Sequence, residues 1–166
     1  MTHPNRVALQ SFITALSNPG DWSDAAYAFF AAGANINVVH PVNEVAGATG
    51  YISDYIAPLQ TAFDMLHRRD YIAIAGEFEG REWVSATGYF CGHFHAPLWG
   101  IKPTNTLMHL RFGEFHRMEN GKAVESYIYL DLPELMIAAG QWPIAESPGG
   151  HRGFTVYVQG PQTQDG

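Results

Sequence analysis

Leu9, Phe12, Ile13 and Leu16 recur at three- and four-residue intervals, which predicts a helix with one buried face over 6–16. Asn18-Pro19-Gly20 ends it. Asp21, with Asp24 three residues on, then predicts the cap of a second helix that carries Trp22, Ala25, Ala26, Phe29 and Phe30 on one face and stops at Gly33. Residues 35–40 alternate, with Ile36, Val38 and His40 on one side, and predict a short strand ended by Pro41. Thr49 can cap a third helical stretch whose stripe is Ile52, Tyr55, Ile56, Leu59, Phe63 and Leu66. Pro58 inside that stretch predicts a kink or two consecutive short helices.

After Arg69 the period changes from helical to β. Strands are expected over 71–78, 83–95, 107–118 and 123–130, with Gly88 and Gly92 marking bends or bulges in the second. Gly80-Arg81 forms one turn, and Asn120-Gly121 is a strong two-residue hairpin signal. Asp131 with Glu134 is a capping box in acidic form, opening a last short helix that Gly140 ends. Residues 1–146 form the expected domain; 147–166, rich in Gly, Pro and Gln, read as a tail or linker with one strand candidate over 154–158. Helices first, hairpins next and a small helix last make an α+β chain, a curved antiparallel sheet with the N-terminal helices on its concave face.

The hairpin sets Glu119 opposite Lys122. Carried back without interruption, that register mixes apolar and polar residues on both faces. A β-bulge at Gly113 would instead bring His109 opposite Asp131 and Arg111 opposite Tyr129. It would collect Met108, Leu110, Phe112, Phe115, Val124, Ile128 and Leu130 on one face, and His109, Arg111, Glu125, Tyr127, Tyr129 and Asp131 on the other. The apolar face is expected to meet the helices and the tyrosine-rich face water or a second subunit. Glu114 sits in the expected bulge and can be aimed inward, which makes it the candidate acid/base group.

Composition narrows the function classes. Apolar residues make up 46% of the 166 and aromatics 13%, enough for a filled core or an apolar pocket. A net charge of −7 with no basic run argues against nucleic acid. No apolar run approaches the ~20 residues that span a bilayer, and the N-terminus lacks the pattern of a secretion signal. Cys91 stands alone, which excludes an intrachain disulfide and suits the cytoplasm. His93 and His95, with His109, have metal-like spacing, but Leu98 and Trp99 stand where a carboxylate ligand would complete such a site, so no metal is expected. His40 is either a cavity-mouth contact or a hydrogen-bonding strand end. Trp83, Tyr89 and Trp99 either line a pocket for a flat ligand or belong to the core. His109 and Arg111 are structural, interfacial or ligand contacts.

The stretches GHFHAPLWGIKPTN and LMHLRFGEFHRMENGKAVESYIYLD, followed by a helix ending AAGQWP, resemble the SnoaL-like polyketide cyclases of the nuclear-transport-factor-2-like (NTF2-like) superfamily. The resemblance implies a cone-shaped α+β fold with an interior ligand cavity and a homodimer formed through the sheet. It also implies ring closure by intramolecular aldol condensation, with an Asp as acid/base, an assisting His and no cofactor. Counted from the Asn-Gly-Lys turn, the Asp falls on Ile128 and the His on Glu114, so the aldol pair is not carried over. Ile128 becomes a lining residue, and Glu114 is left to take up acid/base work, with an apolar cavity raising its pKa. Two functions follow: a cofactor-independent cyclase, isomerase or hydrolase acting on a small apolar, polyketide- or lactone-like molecule, or a non-catalytic binding or accessory module.

Overall fold

The first apolar stripe folds as its spacing predicts: α1 (Pro4–Leu16) buries Leu9, Phe12, Ile13 and Leu16. The computed structural model describes residues 4–145, so the expected tail over 147–166 and its strand candidate lie outside the described residues. α2 (Ser23–Phe29) is shorter than expected, because Phe30 already has extended backbone and β1 (Phe30–Val38) runs straight through Gly33. Asp21 stands one residue further out than the cap, and its Oδ1 accepts the Ser23 N–H at 2.8 Å. A turn containing the cis His40-Pro41 bond leads to β2 (Glu44–Ala46), a three-residue strand that the pattern did not predict.

α3 (Gly47–Gly50), a π-helical segment (Tyr51–Ile56) and α4 (Ala57–Ala62) follow end to end, with Thr49 inside α3 rather than at its cap. Pro58 lies in the first turn of α4, where a missing N–H is harmless, so consecutive short helices are realised instead of a kink. At Phe63 the backbone turns extended (φ −121°, ψ 118°), and the ring stacks on Phe94 with centroids 4.8 Å apart. Phe63 and Leu66 therefore belong to β3 (Phe63–Phe78), not to a helical stripe. β4 (Arg81–Phe94), β5 (Thr106–Glu119), β6 (Lys122–Leu130) and α5 (Leu132–Ala138) complete the described chain. Asp131 caps α5 as expected, accepting the Glu134 N–H at 3.4 Å.

The strands form one sheet in the order β2-β1-β6-β5-β4-β3. It is mixed rather than wholly antiparallel: β1 and β6 run parallel, a long-range pairing with no local signature. α1 packs on β3 and β4, and α2 on β1 and β6, so the helices close the concave face.

The hairpin corrects the bulge. Glu119 does face Lys122, but the register shift falls between the pairs Met118–Ala123 and Arg117–Glu125, which leaves Val124 of β6 as the extra residue. The ladder then runs unbroken through Gly113. His109 does not meet Asp131; the Asp131 N–H instead bonds the Arg111 carbonyl at 2.9 Å. With the extra residue in β6, β5 keeps strict alternation and sends Leu110, Phe112, Glu114, His116 and Met118 inward. Phe115 leaves the expected apolar face and is 48% exposed on the outside.

Candidate functional site

That alternation drives two ionisable side chains, Glu114 and His116, into the interior, where both are buried. An unpaired carboxylate there would be costly. Its partner comes from β3, whose bulges between Asp64 and His67 and between Asp70 and Ile72 bring Arg68 inside, fully buried. Arg68 Nη1 donates to Glu114 Oε2 at 3.0 Å while Nη2 donates to Oε1, a two-pronged clamp. Its Nε and Nη2 also donate to Asp70, at 2.8 and 2.7 Å. The guanidinium lies 4.2 Å from the centroid of the Phe112 ring.

His116 extends the cluster. Its Nδ1 is 2.8 Å from Ser126 Oγ, and its Nε2 is 3.3 Å from Glu114 Oε1 at an angle that makes no hydrogen bond. The π-helical segment sets Tyr51 and Tyr55 on its buried side, a backbone form often found at functional sites. The buried Tyr51 hydroxyl has no hydrogen-bond partner among the described residues. Phe12, Phe29, Phe30, Phe90 and Phe112 pack around these groups, Phe29 edge-on to His116 at 4.9 Å.

The electrostatics run opposite to the expectation for Glu114. Burial alone would push its carboxyl up, but the Arg68 guanidinium, and after it His116, outweigh burial and hold the pKa at about 2. Glu114 is therefore a carboxylate at neutral pH, not an acid with a proton to give. Asp70 is different: burial raises it against the pull of Arg68. It is the member of the cluster nearest solvent, at a groove lined by Arg6, Gln10, Ile13, Tyr71, Ile72 and Ala73. Burial, and after it the Glu114 charge, pushes the Tyr51 hydroxyl far above its ordinary value, so it stays a neutral phenol.

The other sequence candidates divide between two faces. Ile128 is buried directly opposite Glu114 in the ladder. Trp99 stacks on Tyr55 at 6.5 Å, at the margin of the interior. Trp83, Tyr89, His109 and Arg111 do not line the interior: Val84, Ala86, Phe90 and Phe94 take the inward positions of β4, and these four residues lie on the outer face. Arg111 sits 5.6 Å from the Tyr89 ring there and does not pair with Glu114. His40 is exposed beside the cis bond. His93 and His95 are exposed, His95 lies 3.2 Å from Asp64, and among the described residues no three His, Cys, Asp or Glu side chains form a metal-holding group.

The outer face has its own feature, a depression of about 580 Å³ lined by Ile74, Phe78, Trp83, Phe115, Tyr127 and Tyr129 among others. Sequence reasoning missed Arg68, Asp70 and Tyr51. For Arg68 and Asp70 the signal was the alternation Leu66, Arg68, Asp70, which a helical assignment of Phe63 and Leu66 conceals.

No protein-family model and no curated protein matches the sequence. Solved structures do match in fold. A SnoaL-like protein from Jannaschia sp. CCS1 superposes with a TM-score of 0.68 at 18% identity, over 85% of this chain and 94% of that one. IdmH of Streptomyces antibioticus, a candidate polyketide cyclase, gives 0.66 at 14% identity, over 83% and 99%. The fold is SnoaL-like. TerC, co-crystallised with polyporic acid, shares this SnoaL-like fold at a TM-score of 0.60 and 15% identity, over 83% and 99% of the two chains. Among the described residues, no helix is long and apolar enough to cross a membrane.

Proposed function

We propose that the chain binds a small, hydroxylated, otherwise apolar molecule inside the cone, and that it does so as a binding or accessory module rather than as an enzyme using Glu114 as a general acid. The observation that carries this reading is the Arg68 clamp: a carboxylate held at about 2 is ionised at neutral pH and a weak base. The cluster also sets two carboxylates against one guanidinium and leaves the Tyr51 hydroxyl without a hydrogen-bond partner among the described residues. An aromatic ligand with hydroxyl groups complements that excess of acceptors, and the surrounding rings suit its flat body. Polyporic acid, found with TerC, is a ready probe.

Calorimetric titration with polyporic acid is expected to give saturable binding, weakened about tenfold in Tyr51→Phe by loss of one buried hydrogen bond. Wild-type protein that takes up no such molecule, or a Tyr51→Phe variant that binds equally well, would refute the reading.

The outer face supports a homodimer formed through the sheet. Phe115 and Tyr129 are exposed there beside the depression, and Trp83 Nε1 and Arg111 Nε are buried without hydrogen-bond partners among the described residues. Phe115→Glu is expected to halve the mass measured by sedimentation. An unchanged mass, or a wild-type monomer at high micromolar concentration, counts against the dimer.

A further inference from the structure

The other exposed apolar surface is an edge rather than a face. Among the described residues β3 ends the sheet, with β4 as its one neighbour in the strand order. From Tyr71 to Phe78 no residue of β3 is buried, and Ile74 and Phe78 are 59% and 64% exposed. Proteins blunt open edges with lysine, proline, a bulge or a covering element, because unpaired backbone groups pair readily with another strand. The stretch 72–78, Ile-Ala-Ile-Ala-Gly-Glu-Phe, contains no Lys, Arg or Pro, and its one charge is Glu77. The register shift that leaves Tyr71 unpaired bounds it on one side, and the Glu79-Gly80 turn on the other, so it is a regular strand with defined ends.

We propose that residues 72–78 of β3 pair antiparallel with the same residues of a second copy, about a two-fold axis at Ala75, joining two sheets edge to edge. Residues opposed across an antiparallel pair share a face, so the axis must pass through a residue position. Centred on Ala75, the outer face sets Ile72 against Phe78 and Ile74 against Gly76. The inner face sets Ala73 against Glu77 and Ala75 against its own copy. Every position then finds a partner, the large apolar residues meet apolar or small ones, and Glu77 faces Ala73 rather than a second Glu77. Moving the axis by one residue runs one end of the ladder into the bulge or the turn. The same edge borders the outer depression, which Ile74, Gly76, Glu77 and Phe78 help to line, so the apolar surface continues across the junction.

Charge at position 73 tests this register. Ala73→Glu sets a carboxylate opposite Glu77 twice in each pair, whereas Ala73→Lys sets an ammonium there at a comparable burial cost. The full chain, with and without Phe115→Glu to remove the outer-face contact, is followed by sedimentation and by amide hydrogen exchange over 72–78. Ala73→Glu should halve the largest assembly and speed exchange at these amides about tenfold or more, while Ala73→Lys preserves both. The proposal is overturned if the two variants behave alike. It is equally overturned if the wild-type edge exchanges freely at every concentration, or if it is protected in a monomer, where the cover would have to come from the same chain.

Discussion

Arg68→Met is expected to cost the fold about 3–5 kcal/mol at neutral pH, because it leaves Glu114 and Asp70 in the interior without their cation. The size is large because the methionine can fill the space of the arginine stem but cannot offset two desolvated carboxylates. The pH dependence should change sign as well. In the wild type the folded Glu114 pKa of about 2 lies below its ordinary 4.5. Its stabilising contribution is therefore fully present above about pH 4.5 and is lost as pH falls towards 2. Asp70, raised in the folded state, works the other way and softens that loss. In Arg68→Met, only His116 is left to oppose burial at Glu114, and burial lifts the folded pKa above the unfolded value. Its contribution is then present at low pH and lost as pH rises through the raised value. Urea unfolding at about pH 4 and about pH 7 should show the variant gaining on the wild type in acid. A cost below about 1 kcal/mol at neutral pH, or the same acid trend in both proteins, would mean that the clamp does not hold the cluster together.

Gly88→Ala is expected to destabilise by about 3 kcal/mol or more, through a backbone clash that no side chain can relieve. A Cβ at Gly88 would lie 2.0 Å from the Arg69 carbonyl oxygen and 2.8 Å from Asp70 Cα. These are atoms of the β3 bulge that delivers Arg68 and Asp70 to the interior. The strand must move away to accept the methyl group, and the cluster moves with it. Gly113→Ala is the control: nothing lies within 4 Å of its added Cβ, and the ladder through it is regular. That change should be neutral or slightly stabilising in thermal unfolding. Equal melting temperatures for the two variants would show that β3 does not approach β4 as closely as Gly88 requires.

What could be read from the chain was what is decided locally. The α1 stripe, the Asn120-Gly121 turn and the Asp131 cap each depend on residues within a few positions of one another. The β3 pattern is legible only from Tyr71, eight residues after the strand begins, because Phe63 and Leu66 suit a helix face and a bulged strand equally well, and the choice rests on pairing with the distant Phe94. The parallel β1–β6 pair is non-local in the same way. The premise that polar residues go outward places the bulge in β5. A bulge in β6 is the one that forms, and it turns Glu114, His116 and Ser126 inward together. What makes that arrangement tolerable is Arg68, 46 residues from Glu114 in sequence. No motif near Glu114 announces the guanidinium, so its carboxyl could be placed inside the cone from sequence but not given its charge state.

Carbon-13 NMR of the glutamate side-chain carboxyls across a pH titration reads that charge state directly, with Glu114→Gln identifying the Glu114 signal. A Glu114 carboxyl shift that stays at its ionised value from neutral pH down to below about pH 4 is the result expected of a carboxylate clamped by Arg68. A titration midpoint near pH 6 or above would contradict the clamp and return Glu114 to the role of a general acid.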